Sequence, residues 1–126
     1  LVTLFFAFFT LNGFSEKVYF INLQNGDVLK SPFLVQFGLS GKGVAPAGVE
    51  VPNTGHHHLL INIDELDFKM PIPSSKQHLH FGMGQTETTL DLPAGKHKLQ
   101  LILGDKYHIP HNPPLASEVI EVTVIE

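Results

Sequence analysis

Residues 96 to 103 read KHKLQLIL, and their alternation decides the fold class. Lys96, Lys98 and Gln100 fall on one side of an extended chain, and His97, Leu99, Leu101 and Leu103 fall on the other. That period of two is the pattern of a half-buried strand. A Pro93-Ala94-Gly95 turn precedes it and a Pro-rich stretch, residues 104 to 114, follows it. Working outward, Glu118 to Ile125 (EVIEVTVI) is a β-branched closing strand, and Phe33 to Ser40 (FLVQFGLS) sets Phe33, Val35, Phe37 and Leu39 on one face. Lys17 to Leu23 (KVYFINL) has apolar residues on both sides, as a strand covered on both faces would. Gln77 to Phe81 and Gln85 to Leu92 (QTETTLDL) are shorter strands. Turn signals at Asn25-Gly26-Asp27, Ser31-Pro32 and Asn53-Thr54-Gly55 separate these segments. No stretch sustains a period near 3.6. The expectation is an all-β fold, an immunoglobulin-like antiparallel β-sandwich of about seven strands with long Gly/Pro-rich loops; a small barrel is the alternative.

The seventh strand is His56 to Ile63, HHHLLINI. His57, Leu59, Ile61 and Ile63 face one way, and His56, His58, Leu60 and Asn62 the other. The first face is the greasier and is expected to be core. Before this strand, residues 41 to 55 hold four Gly and two Pro and read as a long structured loop. Loops of that length are frequently functional.

At 126 residues the chain has room for one domain, and 43% apolar content gives that domain a packed core. All eight basic residues are Lys, against twelve carboxylates, for a formal charge of -4. This balance offers no footprint for nucleic acid phosphates. The chain contains no Cys, which excludes disulfides, thiolate metal sites and thiol nucleophiles. Ser31, Ser40, Ser74, Ser75 and Ser117 stand in no nucleophile-elbow context, and no glycine-rich phosphate loop precedes a helix.

Leu1 to Leu11 (LVTLFFAFFTL) is an uncharged apolar run, too short to span a bilayer and of the length of a signal-peptide core. Gly13 and Ser15 place small residues three and one positions before Glu16, so cleavage is expected after Ser15. Residues 1 to 15 then form a signal peptide, truncated at its start, and residues 16 to 126 a single β-sandwich domain. That domain would be periplasmic or secreted, without stable membrane insertion. An N-terminal anchor or a buried strand is the alternative for the apolar run.

Eight His is the unusual feature of the composition. Seven fall in three groups: His56-His57-His58, His78 with His80, and His108 with His111. Residues two apart on a strand share a face about 7 Å apart, so His56 with His58, and His78 with His80, each form a chelating pair. Neighbouring strands would bring three or four imidazoles together, the ligand set of copper or zinc. The candidate metal ligands are therefore His56, His57, His58, His78, His80, His108 and His111. Asp105, Glu87 and Met83 are candidates for an additional ligand or, for the carboxylates, a group that orients an imidazole. His97, between two lysines, is expected to be structural.

Several segments together carry a resemblance: SPFLVQFGLSGKGVAPAG, NTGHHHLLI, HLHFGMGQTETTLDLPAGKHKLQLILGD and HIPHNPP. In this order they resemble the bacterial family catalogued as domain of unknown function 4399, over about residues 17 to 125. The resemblance implies an exported bacterial domain and brings no established activity. More loosely, the segment from Asn25 to Phe37 and the LPAGKHKLQL strand are similar to the sandwich domains of the periplasmic copper-resistance family. Those proteins begin with a mature N-terminal His as copper ligand, whereas this one would begin at Glu16.

The leading expectation is a metal-binding carrier or sensor whose ion is copper or zinc, with affinity falling as imidazoles protonate near pH 6. The second is a non-catalytic envelope module, binding an envelope protein, whose histidines pin its loops. The third is a metal-dependent hydrolase, since a catalytic zinc needs three protein ligands and an open position.

Overall fold

The computed structural model of the chain describes residue 3 and residues 15 to 126, so the expected signal segment lies almost wholly outside the described residues. Those residues form nine strands and no helix: β1 (Lys17–Phe20), β2 (Val28–Lys30), β3 (Phe33–Ser40), β4 (Gly43–Val44), β5 (Thr54–Ile61), β6 (His78–His80), β7 (Glu87–Leu90), β8 (Gly95–Gly104) and β9 (Ile120–Ile125). Among the described residues no helix is long and apolar enough to cross a membrane.

One sheet has the order β1-β3-β7, and the other β2-β9-β8-β5-β4, with β6 also paired to β5. The facing sets β1-β3-β7 and β9-β8-β5 reproduce the two-sheet layout of an immunoglobulin-like sandwich. Two strands exceed the expected seven because β2 has three residues and β4 two, too few to show a period. Both pair in parallel, β2 with β9 and β4 with β5, so the sandwich is not purely antiparallel. The chain passes from the first sheet to the second through the Asn25-Gly26-Asp27 turn. There Gln24 N donates to Asp27 Oδ2 (2.8 Å) and Gly26 takes a φ of 90°, open to glycine at no steric cost.

The main core lies between the sheets. Val18, Phe33, Val35 and Phe37 from one meet Leu59, Ile61, Leu99, Leu101, Val122 and Val124 from the other. Each such side chain contributes about 1.5–3 kcal/mol on leaving water. The alternation of KHKLQLIL is realised here: Leu99 and Leu101 are fully buried while Lys96 and Lys98 are exposed.

The second face of β5 departs from expectation. His56, His58 and Leu60 are as buried as the core face, at 1%, 1% and 2% exposure. The cause is a covering layer made by the segments before β6 and after β8. Ile72 packs on Leu60 and Ile102, and its amide donates to the His108 carbonyl (2.7 Å). Beyond it, Leu103 N donates to Leu115 O (2.9 Å) and Ser117 N to Leu101 O (2.8 Å). β5 also ends earlier than expected. Asn62 turns the chain with a φ of 56°, and Ile63 joins the outer cluster instead of the main core.

Candidate metal centre

Register assembles the histidines. In the β5–β6 pair His58 stands opposite His80, and in the β5–β8 pair His56 stands opposite Gly104. The chain leaves β8 at Gly104 and turns back, placing His108 over the same face of β5. Asp105 holds that turn: its Oδ1 accepts from Tyr107 N (2.8 Å) and Ile109 N (3.1 Å), and its carbonyl accepts from His108 N (2.9 Å). His108 has a φ of 65°, a left-handed conformation that is uncommon for a residue with a Cβ and costs on the order of 1–3 kcal/mol.

His56, His58, His80 and His108 converge, each offering one ring nitrogen within 4.8 Å of the others. His58 Nε2 lies 2.9 Å from His56 Nε2, and His56 Nε2 lies 3.1 Å from His108 Nδ1. Two nitrogens thus crowd a third, His56 Nε2. A proton on any of them serves a single contact, so lone pairs are left facing a shared point, which favours a cation there. All six pairs of ring centres lie between 4.6 and 5.7 Å. Four imidazoles bound at ~2.1 Å around one tetrahedral ion would have their ring centres ~5 Å apart, so the residues present fit such an ion. His56 and His58 form the buried floor, while His80 is exposed and His108 half-buried, so an ion would arrive from their side.

Two glycines make room for the rings. A Cβ on Gly82 would collide with Cε1 and Nε2 of the His80 imidazole, and one on Gly104 would lie 2.8 Å from His58 Nε2.

The surroundings favour the neutral form of His56, His58 and His80. Burial, then the neighbouring His108 and His80, lowers His56 from 6.5 to about 4, with Asp105 pulling the other way. Burial, then His56, His80 and His108, lowers His58 to about 3. His80 is also lowered, by its partial burial and by His108. Neutral imidazole is the metal-binding form.

The other candidates lie elsewhere. His57 points into the main core, fully buried, its ring centre 5.1 Å from that of Phe37. Neither of its nitrogens has a partner among the described residues, and burial lowers it to about 4. It is on the wrong face because adjacent strand residues point oppositely. His78 shares the face of His80 but stands opposite Leu60, one step beyond the cluster, and its Nδ1 lies 2.8 Å from Ser75 Oγ. His111 packs against Gly55, where a Cβ would lie 2.8 Å from its Nε2; that nitrogen is enclosed and without a partner among the described residues. Burial and then Lys42 lower its pKa, against Asp105 and Glu16. Asp105 is committed to the loop amides. Glu87 is on β7, in the other sheet, and Met83 is 83% exposed. His97 takes a structural place, with Nδ1 3.0 Å from Asn62 Nδ2 and Nε2 2.7 Å from the Pro93 carbonyl.

The sequence reading missed Gly82, Gly104 and the backbone of His108. Their signals were present: Gly82 follows the His80 strand by two residues, and Gly104-Asp105 opens the His108 turn.

No curated protein matches this chain. Among solved structures it is similar to one described as the X-ray structure of the endo-beta-1,4-mannanase from Thermotoga petrophila, with a TM-score of 0.51 and 16% identity. The alignment covers 89% of this chain and 20% of that one. This chain therefore spans about a fifth of the length of the mannanase chain, and the likeness shows the fold alone. The family described as Domain of unknown function (DUF4399) matches residues 35–125, from within β3 to the end of β9. On that match, which takes in both strands of the histidine cluster and the loop of its fourth member, the chain belongs to the DUF4399 family.

Proposed function

We propose that the protein is an exported metal-binding domain in which His56, His58, His80 and His108 hold one copper or zinc ion for carriage or sensing. The observation that carries this reading is the convergence of four imidazoles from two strands and a loop, with ring centres 4.6 to 5.7 Å apart. Imidazoles that served only to pin loops would each point at a carbonyl, as His97 does with Pro93. These four point at one another. The apolar run of residues 1 to 11 supports export to the periplasm or cell surface.

Carriage or sensing fits better than hydrolysis. A catalytic zinc keeps one position open for water, and four protein ligands on a tetrahedral ion leave none. An ion held by four neutral ligands keeps its full positive charge. Asp105, whose Oδ1 is engaged by the amides of Tyr107 and Ile109, lies near enough to His56 to favour positive charge there and would support the ion electrostatically.

Elemental analysis of the untagged protein, with calorimetric titration by Zn(II) and Cu(II) at neutral pH, tests the reading. One ion per chain is expected. No bound metal and no uptake of either ion would overturn it.

A further inference from the structure

The six distances between ring centres also contain the coordination geometry. Four imidazoles in a square plane would set four neighbouring pairs ~4.5 Å apart and two opposite pairs ~6.4 Å apart, whereas a tetrahedron sets all six at ~5 Å. The four rings divide into opposite pairs in three ways. The distances are 4.6 and 4.6 Å for His56–His58 with His80–His108, 5.0 and 5.7 Å for His56–His80 with His58–His108, and 5.0 and 5.1 Å for His56–His108 with His58–His80. None of the three contains two long separations.

The frame resists flattening. His56 and His58 are fixed two residues apart on β5, between β8 and β6. His80 is pressed over Gly82, and His58 against Gly104. These close backbone contacts limit the movement of both rings on that side.

We infer that the centre is built for a tetrahedral ion with no directional d-electron preference, zinc(II), and against the tetragonal geometry that Cu(II) and Ni(II) prefer. This rests on the reading of the four imidazoles as a metal centre. The donor set argues against Cu(I), the other ion of this kind, because Cu(I) is selected by thiolate and thioether ligands. The chain has no Cys, and the four donors that converge are all imidazole nitrogens.

The test uses the untagged full chain, stripped of metal and loaded with one equivalent of Co(II) or Cu(II) in separate samples. Co(II) is expected to give the intense visible absorption of a four-coordinate tetrahedral ion, bleached stoichiometrically by one equivalent of Zn(II). Cu(II) is expected to give an electron paramagnetic resonance spectrum with a parallel copper hyperfine splitting well below that of tetragonal copper bound to four imidazoles. A pale six-coordinate Co(II) spectrum together with an ordinary tetragonal Cu(II) spectrum would overturn this inference while leaving metal binding intact. Failure of all three ions to bind would overturn the metal centre itself.

Discussion

His58 lies directly opposite His80 across the β5–β6 pair, and their ring centres are 5.1 Å apart. This register makes His80 a member of the cluster and excludes His78, which stands opposite Leu60. The two histidines of the His-Leu-His segment therefore have different roles although they share a face.

Alanine substitutions should separate them. His58→Ala and His80→Ala each remove one of four donors and are expected to weaken zinc binding by at least about 100-fold, beyond the 10- to 100-fold typical of losing a supporting hydrogen bond. His78→Ala should change affinity no more than a few-fold. Competition against a chromophoric chelator measures all three, and equal losses at positions 78 and 80 would count against the assigned register.

Supporting geometry should matter almost as much as the ligands. Gly82→Ala drives a methyl group against the edge of the His80 ring. Displacing that ring should lower zinc affinity about 10-fold or more, with overpacking costing about 1–3 kcal/mol of stability. Asp105→Ala frees the amides of Tyr107 and Ile109 and loosens His108, with an expected 10- to 100-fold loss of affinity. Zinc affinity at the wild-type level in both variants would show that the ligand positions do not depend on this backing.

The metal-free protein should lose stability in acid. His57, His56 and His58 have folded-state values near 4, 4 and 3, below the ordinary 6.5. The unfolded chain therefore binds more protons below pH 6.5. Stability is fully present above that value and falls as pH drops toward 4 and 3. His57 alone, lowered from 6.5 to about 4, should contribute a loss of about 3 kcal/mol by pH 4. Chemical denaturation of wild type and His57→Leu across this range should show the variant retaining that share. Identical pH profiles would contradict the account of His57.

The same values move the expected window of metal release. Free imidazole suggests weakening near pH 6, but a folded cluster whose floor titrates near 4 and 3 should hold zinc to lower pH and release it as the domain unfolds. Above the transition, zinc at 100 times its dissociation constant should add about 2.7 kcal/mol of stability. Thermal melting with and without a chelator, between pH 4 and 7, follows both effects.

The strand pattern made the sandwich legible. KHKLQLIL, FLVQFGLS and the closing β-branched run each carry an unbroken alternation, and β3 has the boundaries its pattern implies. The pairing of His56 with His58 was legible too, because period two is local. Less visible was everything set by register between distant segments. Nothing in His78-Leu79-His80 says which histidine meets β5 at His58, and His108 enters through a left-handed turn that Asp105 stabilises. The short parallel strands β2 and β4 owe their form to their partners' edges. His57 was grouped with its neighbours by adjacency, although alternation sends it into the core.

X-ray absorption at the zinc edge of the untagged protein, loaded with one equivalent of zinc at neutral pH, reads the ligand shell of the four-histidine centre itself. Four nitrogen scatterers at ~2.0–2.1 Å with the outer-shell signature of four imidazoles are expected, with the imidazole signature reduced to three in His80→Ala. No stoichiometric uptake, or a zinc shell with fewer than three imidazoles in the wild type, would contradict it.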